Sequence, residues 1–110
     1  MPESHDTDWQ PIDQEQRDRV AHRPVFARRI ADATQYKQTD LHGTEINGNG
    51  CECMRIDYQM PDGSTTSLWE ITESSDYGMS GEETTLYGTL RAANTAYSRI
   101  LNAVAEDNDY

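Results

Sequence analysis

Apolar and polar positions alternate most regularly over residues 51–60. Met54, Ile56, Tyr58 and Met60 fall on one side there, and Cys51, Cys53, Arg55, Asp57 and Gln59 on the other. A period of two is that of a strand. Pro61-Asp62-Gly63 then turns the chain, and residues 64–72 return as a further strand. Upstream, Asn47-Gly48-Asn49-Gly50 is a strong turn signal, because Asn and Gly tolerate positive φ. Residues 38–46 before it read as a weaker strand. Pairing Met60 with Thr65 sets Ile56 opposite Trp69 and Met54 opposite Ile71, with the apolar residues on one face. A one-residue slip would set Trp69 opposite Arg55 and Ile71 opposite Cys53. The first register is expected. It leaves Leu68 on the second face with Thr66 and Glu70, where it is expected to be covered by a loop or by the N-terminal segment, the alternative being an exposed interaction residue.

Helical spacing appears at both ends. Pro11 suits the first turn of a helix reaching about residue 21, whose apolar positions are Ile12 and Val20. Pro24 disfavours helical geometry at Arg23 and suits the start of a second helix over 24–35, carrying Phe26, Ile30 and Ala33. One bent helix is the alternative. After a Ser/Gly/Asp-rich loop, Ser80 and Glu83 form a capping box, and Glu82 and Glu83 suit the positive end of a helix dipole. Leu86, Leu90, Ala93, Tyr97, Ile100, Leu101 and Val104 continue it as a long apolar stripe, with Gly88 a weak point inside the helix.

These elements predict an α+β fold. An N-terminal helix (or two) precedes a three-stranded antiparallel sheet, and a long C-terminal helix packs on one sheet face. Residues 1–10 are expected to be a mobile acidic start, 11–105 a single domain, and 106–110 a frayed tail. Helix, three strands, helix is also the order of double-stranded RNA-binding domains. Those place a lysine cluster at the start of the last helix, where this chain has Ser80-Gly81-Glu82-Glu83-Thr84-Thr85. The charge is reversed, the likeness is one of layout alone, and no family is assigned.

Composition narrows the picture. The chain has 110 residues, of which 35 % are hydrophobic. That is below the ~45–50 % usual for soluble domains, so the core is thin or a tail is unstructured. No apolar run is long enough for a bilayer, and residues 1–10 lack the basic-then-apolar pattern of a secretion signal, so a cytoplasmic protein is expected. Two cysteines are too few for a disulfide scaffold. A bridge between Cys51 and Cys53 would close a small, strained ring, so both read as reduced, partly exposed thiols.

Net charge is −11, with Lys37 the single lysine against eight arginines. A field of that sign repels free nucleic acid and anionic membranes. The charge is uneven: residues 17–37 are basic, and residues 38–83 hold ten acids against Arg55 alone.

Candidate chemistry is sparse. His42 with Cys51 and Cys53 suggests zinc, but a fourth ligand is not evident and the Cys spacing is narrower than usual. A cysteine nucleophile with His42 as base is opposed by the local negative field. Carboxylate pairs such as Glu70 with Asp57 arise by chance in so acidic a chain. Neither a Gly-rich phosphate loop nor a serine nucleophile turn is visible. No catalytic residue, metal or cofactor is therefore expected.

The sharpest feature is the acidic sheet. Asp57, Glu70, Glu73, Asp76, Glu82 and Glu83 are expected to face a partner, with Tyr77 and Tyr87 as aromatic anchors. Tyr87 is placed off the apolar stripe of the last helix, beside Arg91 and Asn94. Carboxylates at alternate strand positions lie ~6.6–6.8 Å apart and can occupy a groove built for phosphates. The expected function is a non-enzymatic inhibitor of a basic, nucleic-acid-handling partner. A phage or mobile-element protein acting in the host cytoplasm on a defence nuclease, anti-CRISPR-like or as a nucleic-acid mimic, is the concrete version. An immunity protein or antitoxin for a cognate toxin is the first alternative. A nucleic-acid-binding regulator using Arg17, Arg19, Arg23, Arg28 and Arg29 is the second. A self-assembling virion accessory protein and a small metal or thiol enzyme follow.

Overall fold

The computed structural model describes residues 9–46, 48–75 and 81–107. The elements are β1 (Gln10–Pro11), α1 (Gln14–Ala21), α2 (Pro24–Arg29), β2 (Gln35–Ile46), β3 (Asn49–Gln59), β4 (Thr65–Ser74), β5 (Glu82–Tyr87) and α3 (Leu90–Asp107). The strands pair antiparallel in chain order as a five-stranded meander. The three-stranded sheet read from the patterning is therefore corrected to five, and the two extra strands have separate causes.

At the first edge, Pro11 does not open a helix but pairs with Gln35. An edge position tolerates its missing N–H. Helix α1 starts later, at a cap where the Asp13 carboxylate accepts from the Gln16 amide at 3.0 Å. At the other edge, residues 82–87 are a strand and not a first helical turn. Thr84, Thr85 and Tyr87 favour extended backbone, which outweighs the capping pattern of Glu83. Gly88 is the break between strand and helix. The Thr89 hydroxyl, which accepts from the Ala92 amide at 3.1 Å, caps α3 instead. Gly88 also sits tight against α2. A Cβ there would lie 2.9 Å from Arg29 Nη1 and 3.1 Å from Phe26 Cε1. The N-terminal helical region forms two helices, with Pro24 opening the second and Arg23 outside helical geometry at φ −120°, ψ 87°.

The β3–β4 register is the slipped one. Ile56 faces Leu68, Arg55 faces Trp69 and Cys53 faces Ile71. Its origin is the turn. Gly63 N donates to Met60 O and Met60 N to Ser64 O, both at 2.9 Å, and Gly63 has φ +90°. The loop thus holds three residues, with glycine at the left-handed position, and Met60 sits opposite Ser64 and not Thr65. Asp62 secures it by accepting from the Ser64 amide and hydroxyl.

The expected register assumed that one sheet face is core. Both are. Val20, Phe26, Ile30 and Ala33 pack on Ile56, Tyr58, Leu68 and Leu86 on one face. Ala93, Ala96 and Tyr97 of α3 pack on Cys51, Cys53 and Ile71 on the other. Leu68 is fully buried, under the N-terminal helices. The two helical layers cover opposite faces and are offset along β3. One lies over residues 56–58, the other over 51–53.

Candidate interaction surface

The acids expected to form one row are distributed among three environments. Asp57 is 7 % exposed. It accepts from Ser67 Oγ at 2.6 Å and from Arg55 Nε at 3.2 Å. Glu70 is 5 % exposed, on the other face, and both its oxygens accept from Arg19 Nη2 at 2.7 Å. These two carboxylates are internal partners of arginines. Glu73 and Glu83 stand opposite each other on β4 and β5, on the face that carries α3. Glu82, opposite Ser74, is exposed on the face away from α3. Asp76 and Tyr77 lie outside the described residues. Tyr87 is not on a helix: it sits on β5 opposite Trp69, half-buried against the α3 cluster.

Because the helical layers are offset, part of the face away from α3 stays uncovered near the β2–β3 turn. An open cavity of about 450 Å³ lies there, lined by Gly43, Glu45, Gly50, Glu52, Ser74 and Glu82 among others. Pairing places Glu45 beside Gly50 and Ser74 beside Glu82, so one row crosses four strands with acids on its outer two. Three interstrand spacings put those outer strands about 14 Å apart. Glu52 belongs to the next row, between Gly43 and Thr72. The floor is low because the residues between the acids are small. At Gly50, a Cβ would lie 2.8 Å from Ser74 Oγ. Glu45 could not be placed from alternation alone. The register shift between Asp40 and His42 inverts the faces of β2 beyond it.

The cysteines are not partly exposed. Cys51 and Cys53 are each 1 % exposed beneath α3. Burial, with smaller contributions from Glu73, Cys53 and Glu52, pushes the Cys51 thiol up to about 11. Burial also raises Cys53. Both thiols are held protonated, against nucleophilic use. His42 faces Cys53 and sits edge-on to the Tyr97 ring at 4.2 Å. The Tyr97 hydroxyl in turn lies 2.9 Å from Thr44 Oγ1. Among the described residues no three metal-ligating side chains converge.

Three of the five arginines in the basic segment are engaged within the fold. Arg17 donates to the Ala31 and Ala33 carbonyls at 3.1 and 3.4 Å. Arg19 holds Glu70. Arg23 donates to the Leu86 carbonyl at 3.1 Å and stacks over Phe26 at 4.6 Å. Arg28 and Arg29 are exposed. Among the described residues no helix is long and apolar enough to cross a membrane. No protein-family model matches the chain, and no curated protein or solved structure matches it significantly.

Proposed function

We propose that this chain is a small acidic binding protein that inhibits a basic, nucleic-acid-handling partner, of the kind phages and mobile elements direct at host defence nucleases. The observation that carries the reading is the open cavity rimmed by Glu45, Glu52 and Glu82 on bare sheet. Its glycine and hydroxyl floor lets a partner's side chains approach the backbone, and its carboxylates match arginine or lysine. Glu73 and Glu83 extend the negative field round the β5 edge. Asp57 and Glu70 leave the proposed contact set, because each already holds an arginine. The internal engagement of Arg17, Arg19 and Arg23 supports protein over nucleic-acid recognition.

The test is capture from the native host at low and high salt, with E45K/E52K/E82K as control. A nuclease or nucleoprotein complex held by the wild type, inhibited by it, and released by the triple variant supports the proposal. Capture of a single toxin encoded beside this chain would select the immunity-protein reading. Equal capture by both proteins would reduce the acidic cavity to a solvated surface.

A further inference from the structure

The sheet order leaves β5 with β4 on one side and, among the described residues, no strand on the other. Which of its backbone groups face that open side follows from the β3–β4 turn. Met60 N donates to Ser64 O, so residues 60 and 64 are a bonded pair. In an antiparallel ladder bonded and non-bonded pairs alternate, and a residue sends its N–H and C=O to the same side. The β3–β4 register runs without a shift, so even residues of β4 bond to β3 and odd ones to β5. Trp69, Ile71 and Glu73 therefore bond to Tyr87, Thr85 and Glu83. Glu82, Thr84 and Leu86 direct their backbone groups outward. A separate contact agrees, because the Leu86 carbonyl accepts from Arg23 Nη1 at 3.1 Å. That bond closes the edge at Leu86 and leaves it open at Glu82 and Thr84. Edge strands are usually blunted by a lysine, a proline or a bulge. At the opposite edge, β2 is covered by β1 at residues 35–36 and carries a bulge between Asp40 and His42. β5 has none of these devices. Its charge is also unbalanced. Glu83 stands directly opposite Glu73 on the α3 side, which costs stability, and among the described residues neither forms an ion pair. Glu82, one residue away, lines the acidic cavity on the other face.

We propose that β5 takes up an extended, basic segment of a partner protein as a further strand of the sheet. The outward backbone groups of Glu82 and Thr84 bond to its main chain. Neighbouring residues of such a segment point to opposite faces. Two adjacent Lys or Arg residues therefore serve both acidic sites, one reaching the Glu73–Glu83 pair and the other Glu82. β-Branched or aromatic residues suit the positions beside Thr84 and Thr85. A second copy of this chain is the poorer occupant, because β5 holds no cation to offer Glu83 and each copy carries −11. The inference rests on the basic-partner reading above and adds how that partner is held.

The experiment selects displayed random peptides on the full chain and uses a recovered peptide as the probe. Enrichment of paired Lys or Arg beside Val, Ile, Thr or Tyr is expected, and E82K/E83K should weaken the probe by at least about tenfold. Amide hydrogen exchange then reads the mode. In the free chain Glu83, Thr85 and Tyr87 should be protected and Glu82 and Thr84 should not; the probe should protect those two. Methylating the peptide's amides at alternate positions should abolish binding for one parity and spare it for the other. Thr84→Pro should weaken the probe comparably and leave the fold intact, since the N–H it removes faces outward. The methylated peptides are tested on the wild type, so they decide the matter even if that variant folds poorly. Basic peptides released by E82K/E83K but indifferent to methylation parity would overturn strand addition and leave the basic-partner reading standing. Absence of paired-basic enrichment overturns the proposal, and the host capture above then judges the wider reading by itself. Protection of Glu82 and Thr84 in the free chain also overturns it, because the edge would already be covered by the chain itself or by a second copy.

Discussion

Arg19 reaches Glu70 across 51 positions of sequence, and the pair joins α1 to the middle of the sheet. Glu70 is almost wholly buried, with 6 % of its side chain exposed against 31 % for Arg19. Removing the arginine therefore strands a carboxylate. Arg19→Ala should cost about 2–3 kcal/mol in urea unfolding, less than the ~3–5 kcal/mol of a fully buried pair because water reaches the Arg19 side. A loss below about 0.5 kcal/mol would mean that α1 is held by packing alone. Beneath the same helix the Tyr58 hydroxyl is buried, with no hydrogen-bond partner among the described residues. Tyr58→Phe should thus be neutral or stabilising by up to about 1 kcal/mol, where deletion of a satisfied hydroxyl would cost that much. Cys51 gives a pH signature. Its folded pKa, about 11, lies above the ordinary 9.0, so the unfolded chain loses this proton first as pH rises. Stability linked to Cys51 is complete below pH 9 and is lost between pH 9 and about 11. Unfolding midpoints of Cys51→Ala should fall less steeply over that window than those of the wild type.

At the scale of elements, the β5–α3 junction turns on Gly88 and Thr89. Gly88→Ala drives a methyl against Phe26, whose ring is fixed in the core, and should cost about 1–3 kcal/mol. Thr89→Ala removes the α3 cap and should cost about 0.5–2 kcal/mol. If residues 82–89 were helical, as the capping pattern suggests, Gly88→Ala would instead stabilise by roughly 1 kcal/mol, so thermal melts of this variant decide between the two descriptions. The strands β3 and β4 and the helical character of residues 90–105 were legible because each follows a single period, whereas β2, whose faces invert at its bulge, was marked chiefly by the turn after it. The β5 segment was not. Ser80 and Glu83 obey the capping rule locally, and only pairing with β4 rewards the extended alternative. The two-residue β1 exists solely through its pairing with β2.

At the scale of the molecule, each face is part core and part solvent. That arrangement explains both the misread register and the scattering of the acids. A hydrophobic pattern names the buried face when one face is buried along its whole length. Here β3 buries Ile56 and Tyr58 on one side and Cys51 and Cys53 on the other, so the pattern supports either register. The choice falls to the Pro61-Asp62-Gly63 turn. Charge also acts at this scale. A net −11 opposes compaction, and screening shrinks to about 3 Å in molar salt. The melting temperature should therefore rise with sodium chloride. A falling one would mean that attractive pairs such as Arg19–Glu70 outweigh the net repulsion.

The sequence by itself determined the mixed α and β content of the chain, the turns that join β2 to β3 and β3 to β4, and a charge pattern that is basic early and acidic in the middle. All of these depend on neighbours within a few residues, where backbone preference and periodicity act. Tertiary structure decided which acids reach water. Asp57 and Glu70 were drawn in by arginines on β3 and α1, while Glu45, Glu52 and Glu82 were left on bare sheet by the offset of two helical layers. That outcome depends on a one-residue turn register and a bulge in β2. The local Pro61-Asp62-Gly63 turn sets the first, contacts between distant segments set the second, and the hydrophobic period reports neither.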